Sequence, residues 1–269
     1  MYAMEIQLWR EILDPYVLAV DELVVKFNHI IHEYRMSGVY SPIEQVNGRV
    51  KTISSIIEKA KKKNVPLEEV EEKIEDIAGI RIICQFVDDI YKVAELIRKR
   101  TDMKIKSEKD YVTHVKKSGY RSYHIVVYYN VETMKGTKEI QAEIQIRTLA
   151  MNFWATIEHS LQYKYKKNLP DNVREKLSST AEAIKVLDQE MSTIRTEIME
   201  AQKQFKKKAN VVADILNNIQ NLYRVLNEAE VLKIQNEFLE IYQSGDMERL
   251  QELNHRIDAL SELNNTQSL

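Results

Sequence analysis

Cysteine, proline and glycine are scarce in this chain, with one, four and six among 269 residues. A single cysteine, Cys84, excludes an intrachain disulfide, and its place inside an apolar run marks it as a core thiol. So few glycines and prolines leave little material for loops, which favours long helices. No stretch approaches the roughly 20 apolar residues that a membrane-spanning helix needs. The opening MYAMEIQLWREILDPY lacks the basic and continuous apolar regions of a signal peptide. The expectation is a cytoplasmic protein that stays off membranes. Net charge is also nearly absent, −2 at pH 7. No global basic field therefore draws the chain to DNA, and anion binding must come from local clusters. The familiar phosphate cradles and zinc sites are missing: there is no Walker A loop, G-x-G-x-x-G, H-E-x-x-H or C-x-x-C.

What is present is a strict alternation at 138–148, KEIQAEIQIRT. Ile140, Ala142, Ile144 and Ile146 fall on one side; Glu139, Gln141, Glu143, Gln145 and Arg147 fall on the other. A period of two predicts a strand with one apolar and one polar face. Such a polar face is either wetted by solvent, as on many antiparallel sheets, or the floor of a site.

The surrounding pattern predicts an α+β domain built on a mixed β-sheet flanked by helices. Residues 5–35 have helical spacing, with a break expected near Pro15. Ser41, Pro42 and Glu44 match a capping box and predict a helix over about 42–63. One face of that helix would carry Val46, Val50, Ile53, Ile57 and Ala60, and the opposite face Lys51, Ser55, Lys59 and Lys62. A short helix (67–75) leads into a strand in EDIAGIRIICQFVDD, then a helix, and then an edge strand in MKIKSEKDYV. A third strand, YHIVVYYNV, joins the alternating stretch at 138–148, a fourth strand, through Lys135-Gly136. From Pro170 onward everything reads as helix. Leu177, Ile184, Met191, Ile198 and Phe205 recur every seven residues, which predicts a long helix packed on another helix of this chain or of a partner. A break is expected at the basic run QFKKKAN, followed by helices at 209–226, 229–243 and 247–262, the last capped by Asp246.

The polar strand face offers two carboxylates and two amides within seven residues, with Glu143 at the centre of the strand. Asp76 precedes another strand, with Arg81 five residues on. Two carboxylates from neighbouring strands are a usual means of holding a Mg²⁺ ion that bridges substrate phosphates. Arginine and lysine then spread the charge of a transferring phosphoryl group. In KKSGYRSYH, Gly119 permits a sharp turn and Tyr120 is flanked by Lys116, Lys117 and Arg121. An aromatic ring beside cations is a seat for a nucleobase carrying phosphates, or an ordinary core tyrosine in a basic turn. The histidines show no metal-ligand spacing.

Four stretches, SPIEQVNGRVKTISSIIEKA, DIAGIRIICQFVDDIY, SGYRSYHIVV and AEIQIRTLAMNFWATIEHSLQYKY, together resemble the synthetase domain of the RelA/SpoT homologues. The likeness is to the stand-alone small alarmone synthetases of the RelQ type, and it covers about residues 5–205. The resemblance implies a GTP pyrophosphokinase that moves the β,γ-pyrophosphate of ATP onto the ribose 3′-hydroxyl of GDP or GTP, with Mg²⁺ as cofactor. It implies that Asp76 and Glu143 are the catalytic and Mg²⁺-binding acids. Arg49, Lys51, Ser55, Lys59 and Arg81 match the ATP side. Tyr120, Lys116, His124, Gln145 and Asn152 match the GDP/GTP side, with Tyr120 stacked on guanine. The implied domain layout is a synthetase domain over 1–168, a long oligomerising helix over 169–206 and a helical extension of unassigned role over 207–269. A homotetramer and a synthesis-only enzyme are likewise implied. An RNA or protein regulator is left open. At the cleft where RelQ-type members bind an activating alarmone, Asn28 and Gln45 stand in place of the expected Lys and Phe. Other acceptors on the same fold (an adenine nucleotide or a tRNA 3′ end) and a non-catalytic binding module are the competing readings.

Overall fold

The computed structural model describes residues 2–165, 170–223 and 226–266. The expected boundary at 168/169 lies outside them. Two compact units are formed, residues 1–192 and 193–269.

The first unit is a five-stranded mixed sheet with helices packed on it. Its elements are α1 (Tyr2–Met36), β1 (Gln45–Val50), α2 (Ile53–Lys63), a short 3-10 turn and α3 (Val70–Lys73), β2 (Ala78–Cys84) and α4 (Val87–Arg98). They continue with β3 (Met103–Asp110), β4 (Tyr123–Thr133), β5 (Gly136–Thr148), α5 (Leu149–Lys164) and the start of α6 (Asp171–Leu222). The spatial order is β1-β2-β5-β4-β3. β2 runs parallel to β5, and the other three pairings are antiparallel. The fully buried Tyr16, Leu23 and Phe27 of α1 join Ile80, Ile82, Ile125, Ile144 and Ile146 in one core.

Three local expectations give way. The segment at 45–50 is not the first half of a helix but the edge strand β1, paired antiparallel with β2. Val46 and Val50 satisfy helical spacing, yet their backbone bonds go to β2. A Cβ on Gly48 would lie 2.4 Å from Val20 Cγ1 of α1, so glycine is what lets the helix lie flat on this strand. Ser41 therefore caps no helix. The cap of α2 is Thr52, whose side chain accepts from Ser55 N at 3.4 Å. Second, α1 runs unbroken through Pro15. The roughly 3 kcal/mol that an interior proline costs is offset by burial of Tyr16, Ala19, Leu23 and Phe27. Third, α6 continues through QFKKKAN to Leu222. That run contains neither proline nor glycine, and lysine is a good helix former.

The second unit packs the end of α6, α7 (Glu228–Ser244) and α8 (Met247–Thr266) around Ile215, Ile219, Leu222, Phe238, Ile241, Leu250 and Ile257. Asn227 and Glu230 form a reciprocal capping box at the start of α7. Asp246 caps α8 as expected, its Oδ1 accepting from Glu248 N and Arg249 N at 3.1 Å each.

Candidate active site

Sheet register assembles the site. Residues paired directly across strands point to the same face. Arg49, Gly79 and Glu143 stand in one such row across β1, β2 and β5. Asn47, Arg81, Gln145 and His124 stand in the next, which reaches β4. The row between them, Gly48, Ile80, Ile144 and Ile125, points the other way, toward α1. The polar alternation of β5 is therefore the face opposite α1. It is not a wetted face: Arg147 is 4% exposed and Gln141 5%.

Arg49, Asp76, Arg81, Glu143 and Gln145 line a cavity of about 240 Å³. The two acids expected to act together thus border one space. Asp76 sits in the turn before β2, its Oδ2 bonded by Lys51 Nζ and Lys59 Nζ at 2.7 Å each. Burial pushes its carboxyl upward, but the two ammonium groups outweigh that and hold it below the usual carboxylate range. Its Oδ1 is buried without a partner, as is Arg81 Nε. Unpaired buried polar atoms at a cavity wall are groups that a ligand or an ordered water can satisfy.

Glu143 is held differently. His124 Nδ1 lies 3.1 Å from Oε1, and Gln145 Nε2 donates to Oε2 at 2.6 Å. Arg147 Nη2 donates to Gln145 Oε1 at 2.7 Å and to the Tyr120 hydroxyl at 2.5 Å. That hydroxyl lies 2.8 Å from His124 Nε2. With the His124 proton assigned to Nδ1, two chains of donors leave Arg147 and converge on Glu143, one through Gln145 and one through Tyr120 and His124. Burial raises the Glu143 carboxyl, and the bonds from His124 and Gln145 bring it below its ordinary value despite the like charge of Asp76.

Tyr120 follows Gly119, whose φ of +86° and contact with Ala181 leave no room for a side chain. Lys116 Nζ lies 4.7 Å from the Tyr120 ring centroid and 4.2 Å from that of Tyr111. Burial lowers the Lys116 ammonium, and the Arg147 charge adds to that. A second cavity, of about 620 Å³, is lined by Arg49, Lys51, Ser55, Lys59, Lys62 and His159, among others. Lys51 precedes α2 rather than lying on it, yet it reaches Asp76 together with Lys59.

The expected ATP-side residues thus share two cavities that meet at Arg49, and Tyr120, Lys116, His124 and Gln145 share one cluster with Glu143. Asn152, on α5, lines neither cavity, although its Oδ1 is also buried and unpartnered. Arg147 and His159 were not foreseen. The alternation of β5 put Arg147 on the right face, whereas nothing local marks His159. Among the described residues no cluster of three or more His, Cys, Asp and Glu side chains forms a complete metal cage. A hard cation that keeps waters and phosphate oxygens needs only one or two carboxylates, which the free Oδ1 of Asp76 suits.

Residues 48–168 match the model of a region found in RelA/SpoT proteins. The GTP pyrophosphokinase YjbM of Bacillus subtilis is 52% identical over 200 residues, 74% of this chain and 94% of that protein. The crystal structure of small alarmone synthetase 1 from Bacillus subtilis bound to its product pppGpp superposes with a TM-score of 0.70 at 52% identity, over 71% of this chain and 98% of that one. A GTP pyrophosphokinase family protein from Streptococcus pneumoniae gives 0.69 at 54% identity, over 72% of this chain and 96% of that one. The chain belongs to the RelA/SpoT family, among its small alarmone synthetases.

Proposed function

We propose that the chain is a GTP pyrophosphokinase that transfers the β,γ-pyrophosphate of ATP to the ribose 3′-hydroxyl of GDP or GTP, releasing AMP. The observation that carries this reading is the juxtaposition of Glu143, wired to the aromatic seat of Tyr120, with Asp76, gripped by Lys51 and Lys59 at the same cavity.

ATP lies along Arg49, Lys51, Ser55, Lys59 and Arg81, where the cations neutralise the triphosphate. The guanine stacks on Tyr120, with Lys116, His124, Gln145 and Asn152 on the acceptor side. The 3′-oxygen attacks the β-phosphorus in line. The bond between that phosphorus and the α,β-bridging oxygen breaks, and its electron pair leaves on AMP. Glu143 accepts the hydroxyl proton and passes it to solvent. Because its carboxyl is held below its ordinary value, Glu143 is a weak base, and most of the rate must come from alignment and charge neutralisation. A Mg²⁺ ion would be held by Asp76 and Glu143 and would supply charge neutralisation at the phosphates.

The enzyme works in the cytoplasm as a homotetramer. Leu187, Met191, Ile194 and Ile198 of α6 are each more than 40% exposed along one heptad face, as an oligomerising helix requires. Among the described residues no helix is long and apolar enough to cross a membrane. Incubation with Mg²⁺, ATP and one acceptor at a time tests the reading: GDP and GTP yield ppGpp and pppGpp, whereas ADP and tRNA do not. A preference for ADP or tRNA would overturn the acceptor assignment.

A further inference from the structure

Asp188, on α6, is only 4% exposed although it is an acid. Its Oδ2 accepts a hydrogen bond from Thr148 Oγ1 at 3.1 Å and lies 3.6 Å from Arg121 Nη1. Thr148 is the residue after Arg147, at the end of β5, and Arg121 is the residue after Tyr120. One carboxylate thus joins the two segments that carry the aromatic seat and the guanidinium behind it. A buried ion pair is a poor way to hold a helix against a sheet, since desolvation cancels much of the pairing and a pair of apolar side chains would serve stability as well. What it provides is fixed geometry.

Neighbouring contacts run the same way. A Cβ on Gly119 would lie 2.4 Å from Ala181 Cβ of α6. Trp154 Nε1 donates to Leu177 O at 3.1 Å, and Tyr120 packs against the buried Trp154, Ala155 and Ala181. The segment of α6 from Leu177 to Asp188 is therefore one wall of the acceptor site.

We propose that Asp188 is a positioning residue for the acceptor nucleotide: by tying Arg121 and Thr148 to α6 it holds Tyr120 and Arg147 in mutual register. This rests on the functional reading above. No contact between Asp188 and the nucleotide is required. Its effect passes through Arg121 to Tyr120, and through Thr148 to Arg147. A shift of even an ångström in such a seat can cost about 10²-fold in rate.

Steady-state kinetics of the full chain test it, with GDP varied at saturating ATP and ATP varied at saturating GDP. Asp188→Asn and Asp188→Ala raise KM for GDP about tenfold or more, and leave KM for ATP within about twofold. A purely structural role would instead lower kcat and shift both KM values together. If the alanine variant fails to fold, by circular dichroism, the isosteric asparagine variant decides, together with a cycle against Arg121→Gln. The double variant is no worse than the worse single variant if Asp188 acts through Arg121, whereas additive effects overturn the proposal. An active wild-type chain with unaltered GDP dependence in the variants overturns this inference alone. A folded wild-type chain that makes no ppGpp overturns the functional reading, and this inference with it.

Discussion

Arg147 Nη2 donates to the Tyr120 hydroxyl at 2.5 Å, so the aromatic seat is fixed from behind by a nearly buried guanidinium. The same nitrogen donates to Gln145 Oε1, and both branches end on Glu143. Arg147→Lys keeps the charge but loses the planar fork. It should lower kcat/KM for GDP by about 10²-fold, with a smaller effect on KM for ATP. Initial-rate measurements on both substrates check this; a change confined to ATP would contradict it.

Glu143→Gln preserves size and polarity while removing the negative charge and the proton acceptor. Activity should fall at least the roughly 10²–10³-fold typical of losing one electrostatic stabiliser, with GDP binding retained. Product formation and calorimetric GDP binding, measured on the same preparation, separate loss of chemistry from loss of the seat.

Lys59→Ala leaves Asp76 with Lys51 alone and opens the wall of the larger cavity. KM for ATP should rise about tenfold or more, as expected on losing a charge-assisted contact worth roughly 1.5–3 kcal/mol, with KM for GDP little changed. The opposite selectivity would mean that the two cavities have been assigned to the wrong nucleotides.

Acid titration gives an independent check. The carboxyls of Asp76 and Glu143 both sit below their ordinary values, so the unfolded chain binds those protons more tightly than the folded one. Their stabilising contribution is complete above about pH 4.5. It is lost as pH falls through the depressed folded values. Asp188 works in the opposite sense: burial pushes its carboxyl up, so its ionisation costs stability as pH rises from the unfolded toward the folded value. Melting temperature measured from pH 7 down to about 2 should fall less steeply in Asp76→Asn than in the wild type. Asp188→Asn should remove that opposing pH-dependent loss, at a cost, from leaving the Arg121 guanidinium without its counter-charge, that is the same at every pH.

Much of this architecture is legible in the chain because it depends on local period. The alternation at 138–148 fixes which residues of β5 share a face, and Asp246 caps α8 with bonds that reach only two or three residues. Other features depend on distant partners. Val46 and Val50 suit a helix or a strand equally, and the choice is made by pairing with residues 78–83 and by the fit of Gly48 beneath Val20. Pro15 and the lysines at 206–208 give local signals that packing and helix propensity override. Arg147 was visible as a residue on the polar face, but its importance comes from Tyr120, 27 positions away. Asp188 reaches back 40 positions to Thr148, a separation over which no sequence period carries information.

The most direct test of the central claim follows both phosphates. ATP labelled at the β-phosphorus and, separately, at the γ-phosphorus is incubated with GDP, Mg²⁺ and the full chain. The account predicts that either label appears in ppGpp, with AMP formed in equal amount, and that Glu143→Gln abolishes the transfer. Release of ADP with only the γ label transferred, or undiminished transfer by Glu143→Gln, would contradict it.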